Sequence, residues 1–600
     1  MNLVKQLLIL ALTFSLVMGC SKPEDRKSSE DQAMAEKQAA EAEAQKMAAE
    51  AKDAAEAEMK AAKKRAAEEA EKLAAEAKAA AEADAAKKAA EAEAMAAKEA
   101  AEMAAKAKAM ADKEAAEMAA KAKAMADKEA AEMAAKAKEM ADKEAADAER
   151  MAAEKLAAAE AEAAAAANAA ATAKAFDMSA DLGDKTPVGA QKSGNASGTI
   201  PAWTGGITSP PAGYAQGDHH QDPFASDQIK FTIDSSNYSQ YADNLSVGQK
   251  AMFDKYDTYK MNVYQTRRSA SFPQRIYEKT IENGKTGKLI AGGEGVTGVA
   301  EGFPFPNPQN AYELILNHKL KFKGSGGVRY NNQVAPTASG RYTVVKLKEE
   351  LLGKYYTEGN TIDDIDNILL YFYQVVESPA RLAGRILLVH ETMNQTETPR
   401  QAWIYNPGQR RVRRAPNVAY DNPGTASDGL RTNDMTDMFN GAMDRFDWKV
   451  VGKKEMYVPY NSYKVHSGDL DYSDIVKPGH LNPDLMRYEI HRMWVVEATL
   501  KDGVRHINSR RTFYLDEDSY QIMLIDHYDS RGNIWRFSEA HSINYYDVPT
   551  FWSTVETHHD LRSGRYVAVG LDNKDPVNTF NVPLSEANYT PQALRKRGRR

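Results

Sequence analysis

The stretches RYEIHRMWVVEATL at 487–500 and RTFYLDEDSYQIMLIDHYDSRGNIW at 511–535 decide the fold class. They are rich in Tyr, Phe, Ile, Val, Thr and Trp, the residues that pack well on a pleated surface. Turn chemistry cuts them at Lys501-Asp502-Gly503, Asp516-Glu517-Asp518 and Asp529-Ser530-Arg531-Gly532-Asn533. The pattern predicts four strands, 488–500, 510–515, 520–528 and 534–541, in an antiparallel meander. Upstream, 342–347, 369–376, 385–391 and 400–405 carry the same enrichment. A further hairpin joins Gln401–Tyr405 to Arg410–Arg414 through Asn406-Pro407-Gly408-Gln409. Helices are expected over 247–264, after the cap residue Ser246, and in a short run through Leu314 and Leu316 to His318. A sheet of this size with few long helices either closes on itself or curls around something.

Outside this body the chain is a different polymer. Between Asp31 and Ala175 there is no Gly, Pro or aromatic residue, and 71 of the 145 positions are Ala. That composition excludes a globular domain and predicts a helix of about 220 Å at roughly 1.5 Å per residue. Residues 98–112, 113–127 and 128–142 repeat the unit KEAAEMAAKAKAMAD nearly unchanged, with Glu102/Lys106, Glu117/Lys121 and Glu132/Lys136 in the favourable i, i+4 order. Met103, Met110, Met118, Met125, Met133 and Met140 form a thin seam of mean period 3.75, so the helix either stands alone or self-associates in parallel. Residues 31–175 carry 24 Lys and Arg against 32 Asp and Glu, a net of −8, whereas the whole chain is −7. The body is therefore near neutral, which argues against nucleic acid as a partner.

The first residues read as an export address. Lys5 precedes an apolar run from Leu7 to Val17, too short to span a bilayer, and Val17-Met18-Gly19-Cys20 resembles a bacterial lipobox. That resemblance implies cleavage before Cys20, the chain's one cysteine, and its acylation, with palmitate among the expected chains. Ser21 in place of Asp implies sorting to the outer membrane, where the acyl chains anchor the protein on its periplasmic face.

The arm GAQKSGNASGTIPAWTGG (189–206), the box GFPFPNP (302–308), Trp403–Pro416, Asp434–Trp448, GKKEMYVPYNSY (452–463) and the two stretches quoted first resemble a widespread, uncharacterised proteobacterial family of periplasmic proteins. The family is labelled outer-membrane lipoprotein-sorting-like and is related in fold to the Lol-type carriers. The resemblance covers about 178–575. It implies a mainly β protein, a curved antiparallel half-barrel with plugging helices and an apolar cavity, here preceded by the long Ala/Glu/Lys-rich helix. It also implies a lipid or other hydrophobic ligand and, as partner, an RND-type exporter or an outer-membrane protein. The expected organisation is a signal peptide at 1–19, a lipidated linker at 20–30, the Ala-rich helix or coiled coil at 31–175, an irregular arm at 176–237, the β-rich carrier-like domain at 238–580 and a basic tail at 581–600.

Alternation and aromatic character nominate Trp403, Tyr405, Trp494, Val496 and Trp535 as cavity wall, although each would serve equally as ordinary core. Arg410, Arg411, Arg413 and Arg414 either keep an edge strand soluble or meet phosphate head groups or an acidic docking site. The strings Glu489/His491 and Glu539/His541 place acid and imidazole on one face of a strand. They either bind a metal or transfer protons, or they are solvated positions or wall groups with cross-strand partners. His558-His559-Asp560 has the same ambiguity, and Asp516-Glu517-Asp518 reads as a turn with calcium as the alternative. Gly293–Gly298 fits GxGxxG without the strand and helix that would make it a nucleotide loop. No G-x-S-x-G, H-E-x-x-H or C-x-x-C is present, so neither catalysis nor a cofactor is expected. The leading expectation is a tethered carrier of hydrophobic cargo. The alternatives are a structural envelope spacer or exporter-assembly factor, and a metal-dependent hydrolase.

Overall fold

A computed structural model describes residues 182–598, apart from 291, 396, 416, 417 and 419. Cys20, the signal sequence and the Ala-rich repeats lie outside the described residues. Among those described, no helix is long and apolar enough to cross a membrane.

The strands, in chain order, are β1 (Phe231–Asp234), β2 (Lys260–Val263), β3 (Lys288–Leu289), β4 (Val296–Thr297), β5 (Gly326–Tyr330), β6 (Asn332–Val334), β7 (Lys346–Leu352), β8 (Ile368–Ser378), β9 (Ile386–Thr392), β10 (Gln401–Asn406) and β11 (Arg411–Arg414). They continue with β12 (Phe446–Pro459), β13 (Tyr488–Leu500), β14 (Arg510–Asp516), β15 (Ile522–Tyr528), β16 (Ile534–Tyr545), β17 (Thr550–Asp560) and β18 (Arg565–Leu571). The longer helices are α1 (Val247–Lys255), α2 (Gln274–Thr286), α3 (Ala311–Lys319) and α4 (Pro591–Arg597).

Ten strands form one sheet in the order β1-β2-β13-β14-β15-β16-β17-β18-β6, with β12 paired to β13 off that path. Six more form a second sheet, β11-β10-β9-β8-β7-β5, and β3-β4 is a separate hairpin. The β13–β18 meander is antiparallel throughout. Register shifts at Tyr514/Leu515, His527/Tyr528 and His541/Ser542 in the meander, and at Val450/Gly452 in β12, bend the strands, as extra residues in a ladder do. Every residue of β15 and β17 is buried, so this sheet is covered on both faces. Its main apolar core includes Phe303, Leu314, Tyr355, Phe439, Phe513, Leu524 and Phe537. The mainly β class and the open, curved sheets agree with the expected architecture.

Three differences from the sequence reading have local causes. The first helix stops at Lys255, because Tyr256 turns extended and the chain continues into β2. The segment read as an irregular arm contains β1, which pairs with β2 from Phe231 to Asp234. Most of the segment read as a basic tail is held: Tyr589 and Leu594 are buried in a cluster with Tyr373, Ile386, Leu388 and Tyr405. Pro at the first turn and Thr590, whose hydroxyl accepts from Ala593 N, start α4. Arg597 then pairs with Glu350 and lies 3.7 Å above the Tyr373 ring.

Candidate functional site

The Glu-x-His strings, His558-His559-Asp560 and the acidic turn 516–518 lie inside the ten-stranded sheet and its covering segments. Glu489, His491, Glu539, His541, His558 and His559 are all buried, which rules out the solvated alternative for both Glu-x-His strings. A buried carboxylate or imidazole needs a partner or must give up its charge, and the two strings meet that requirement differently.

Glu489 is paired. Its Oε1 accepts from Arg487 Nε at 2.6 Å and from Asn461 Nδ2 at 2.8 Å, and its Oε2 from Arg267 N at 2.6 Å and His491 at 3.0 Å. Burial pushes this carboxyl up, but the His491 bond and the Arg487 guanidinium outweigh it and hold it below the usual range. The His491 ring stacks on Tyr460 with centroids 3.8 Å apart. Asp516–Asp518, at the end of β14 and in the turn that follows it, comes to the same place. His491, Asp516 and Asp518 each present a potential metal-ligating atom within 4.8 Å of the others. Asp518, however, is gripped by Arg268 through Nε at 2.8 Å and Nη2 at 2.6 Å. Glu517 pairs with Arg492 and with Lys453. Burial and the neighbouring Asp518 raise Asp516, so it tends to keep its proton. The cations of this cluster are thus guanidiniums and an ammonium of the chain itself. Arg268 also donates to the carbonyls of Gln191, Lys192 and Pro201, and Arg492 to those of Gln191 and Ser193. The acidic turn thereby fastens the 189–206 arm to the sheet.

Glu539 is uncharged at neutral pH. Burial pushes it up to about 8, against the pull of the Tyr488 and Tyr259 hydroxyls, which donate to its Oε1 at 3.2 and 3.3 Å. His541 and His559, pushed down to about 3 by burial, are neutral as well. With Tyr259, His480, Tyr488 and Thr557 these groups line a cavity of about 10 Å³, room for about one water. Nδ1 of His541, one of the lining residues, has no hydrogen-bond partner in the structure. His558 lies on the opposite face of β17 from His559, with Ser538 Oγ 2.9 Å from its Nδ1.

Asp526, one strand over, was not singled out in the sequence. Its carboxylate sits at the N terminus of α1 and accepts from Ser246 Oγ at 2.9 Å, Val247 N at 3.0 Å and Gly248 N at 2.8 Å, and from the Tyr514 hydroxyl at 2.9 Å. An acceptor aimed at free helix N–H groups is the arrangement the helix dipole favours. A capping box between Ser246 and Gln249 completes the end. Gly248 is required by contact: a Cβ there would lie 2.2 Å from Phe537 Cδ2 and 2.5 Å from Asp526 Oδ1.

The five wall residues nominated in the sequence do not share one wall. Trp403 and Tyr405 face the α4 cluster, and Val496 is in the main core. Trp494 is half-buried beneath Lys453 Nζ, 4.4 Å from its ring centroid. Trp535 is half-buried, and its Nε1 donates to Asp560 at 3.1 Å. A second cavity, of about 50 Å³, is lined mostly by polar groups, among them Arg329, Glu349, Gln374, Arg431, Asp437 and Glu556. This larger cavity is thus mostly polar, unlike the apolar cavity that the sequence resemblance implied. Gly293–Gly298 falls in the β3–β4 hairpin, and Arg410, Arg411, Arg413 and Arg414 are exposed on the edge hairpin.

A family model described as "Protein of unknown function (DUF1329)" matches residues 232–595. The chain belongs to this family. An uncharacterised Pseudomonas aeruginosa protein is 50% identical to this DUF1329 chain over 429 residues, covering 71% of the chain and 94% of that protein. Among solved structures, a DUF1329 family protein from Desulfovibrio piger has a TM-score of 0.34 at 16% identity, covering 47% of this chain and 97% of that one. A LolA superfamily protein from Nitrosomonas europaea has a TM-score of 0.29 at 11% identity, covering 47% and 98%.

Proposed function

We propose that this protein is an envelope lipoprotein, acylated at Cys20 and held at the periplasmic face of the outer membrane, whose β-rich body binds a lipid or other hydrophobic molecule. In this reading it assists transfer of that molecule between an inner-membrane exporter and the outer membrane. One observation carries the proposal. The sheet at β15 and β16 is covered by α1, a separate helix fastened at its N terminus by the buried Asp526 carboxylate. The apolar side chains that α1 buries are Met252 and Phe253, and Phe253 meets Tyr259 with ring centroids 5.0 Å apart. A nine-residue helix is about 14 Å long and 10 Å across. Its displacement would vacate on the order of 1,000 Å³, the upper end of ordinary ligand pockets. The same core contains Met252, Met261, Met456, Met486, Met493 and Met523, unbranched side chains that refill irregular space around a guest. The lipobox-like 17–20 supports the address.

The test combines native mass spectrometry of the purified chain with binding of the apolar fluorophore N-phenyl-1-naphthylamine. Asp526→Asn puts an amide N–H₂ against helix donors, and Gly248→Ala drives a methyl into Phe537. Both should loosen α1 and tighten fluorophore binding about fivefold or more, the equivalent of roughly 1 kcal/mol. If the wild type carries no lipid-like mass and neither variant binds the fluorophore, the carrier reading is wrong.

A further inference from the structure

Basic segments far apart in the sequence meet at one edge of the six-stranded sheet. β11 is its last strand, and Arg410, Arg411, Arg413 and Arg414 are all exposed there. The turn from β8 to β9 brings the exposed Arg381 and Arg385 to the same end, because Gly384 packs on Pro407 of the β10–β11 turn. Helix α4 packs on β9, β10 and β11 and adds the exposed Arg595 and Lys596. None of these eight side chains is in an ion pair among the described residues, whereas Arg597 of the same helix is taken up by Glu350. An exposed acid, Glu377, lies near the end of β8, just before the β8–β9 turn. Ile404, 44% exposed, stands opposite Arg413 in the β10–β11 register.

Charge on an edge strand keeps other strands from pairing with it, and one or two arginines on β11 would do that. Edge protection does not account for cations on a neighbouring turn and a separate helix. Like charges gathered from three elements repel one another, and a polyanion opposite them removes the repulsion. A row of cations on a projecting hairpin, with an aliphatic side chain among them, fits a flat anionic surface with an apolar layer beneath.

We propose that this edge docks on an anionic phospholipid bilayer, with guanidiniums on lipid phosphates and Ile404 entering the head-group layer. Each basic residue at such a surface contributes about a factor of five in affinity and loses it in high salt. The proposal does not depend on ligand uptake by the body, and either can fail alone.

The test uses the full chain carrying Cys20→Ser, so that no acyl chain contributes, sedimented with vesicles of phosphatidylcholine alone or with about one-third phosphatidylglycerol. Retention is expected only on the anionic vesicles and at low salt. Arg411→Glu with Arg413→Glu should weaken it about 25-fold or more, and Ile404→Ser a few-fold. Arg341→Glu, an exposed arginine between β6 and β7, should leave it unchanged. Absence of retention on anionic vesicles, equal retention on neutral ones, or indifference to the double charge reversal would overturn the proposal. So would binding to soluble polyglutamate that is as tight as binding to anionic vesicles, which would point to an acidic protein instead.

Discussion

Replacing Glu539 by Gln should make the protein more stable at alkaline pH and leave it nearly unchanged in mild acid. The wild-type carboxyl ionises at about 8 in the folded chain instead of near 4.5, because burial disfavours its charge. A carboxyl that holds its proton more tightly folded than unfolded stabilises the fold fully below pH 4.5 and loses that contribution as pH rises to about 8. The loss is about 1.4 kcal/mol per pH unit, so about 3 kcal/mol is gone by pH 7 and roughly 5 by pH 8. Gln does not titrate, and its carbonyl can accept the same Tyr259 and Tyr488 bonds. His541 and His559 act in the opposite sense: their folded values near 3 lie below the ordinary 6.5, so their contribution is complete above pH 6.5 and fades as pH falls. Both proteins contain them, and they cancel in the difference. Urea midpoints of wild type and Glu539→Gln from pH 5 to 9 give the measurement. The curves should meet near pH 5 and separate by several kcal/mol, in favour of Gln, by pH 8.5. Parallel curves, or a Gln variant less stable throughout, would refute the assignment of a buried neutral carboxyl.

Two further outcomes follow from the contacts. Arg268→Ala leaves Asp518 buried without its main cation and releases the carbonyls of Gln191, Lys192 and Pro201, a loss of about 3–5 kcal/mol; limited proteolysis should then cut within 189–206, where the wild type resists. Deleting 591–600 uncovers Tyr373 and Tyr405 and removes Leu594 and the Arg597–Glu350 pair, worth about 2–4 kcal/mol together. Hydrogen exchange should accelerate in β8–β11 and stay unchanged in β13–β18.

The meander was legible because its turns are polar and its strands are β-branched and aromatic: β13 runs from Tyr488 to Leu500 as the pattern predicts. β12 was missed. Gly452 and the register shift after Val450 interrupt its alternation, and Lys449, Lys453 and Lys454 make it look like loop. β17 was missed for the opposite reason, since Thr550–Asp560 is buried on both faces and carries Glu556, His558 and His559 where a sequence reading expects apolar residues. α2 starts after Pro273 without a side-chain cap, so the usual start signal is absent. α4 presents one buried leucine in seven residues, too little periodicity to distinguish it from a solvated tail.

The Glu-x-His strings and the acidic turn were visible in the sequence and Asp526 was not singled out, but the partners that the covering segments supply to them lie hundreds of residues away. Asp526 meets Ser246, Glu539 meets Tyr259, and Asp518 meets Arg268. In each pair the acid belongs to the β13–β18 sheet or its turns and the partner to an N-terminal segment. Within the sheet, each strand is fixed by a ladder of backbone bonds. The arm at 189–206, helix α1 and the residues leading into β2 are fixed to it largely by side chains. Such attachments give way one at a time, whereas a ladder gives way together. On the carrier reading proposed above, these covering segments are the ones that would leave while the sheet persists.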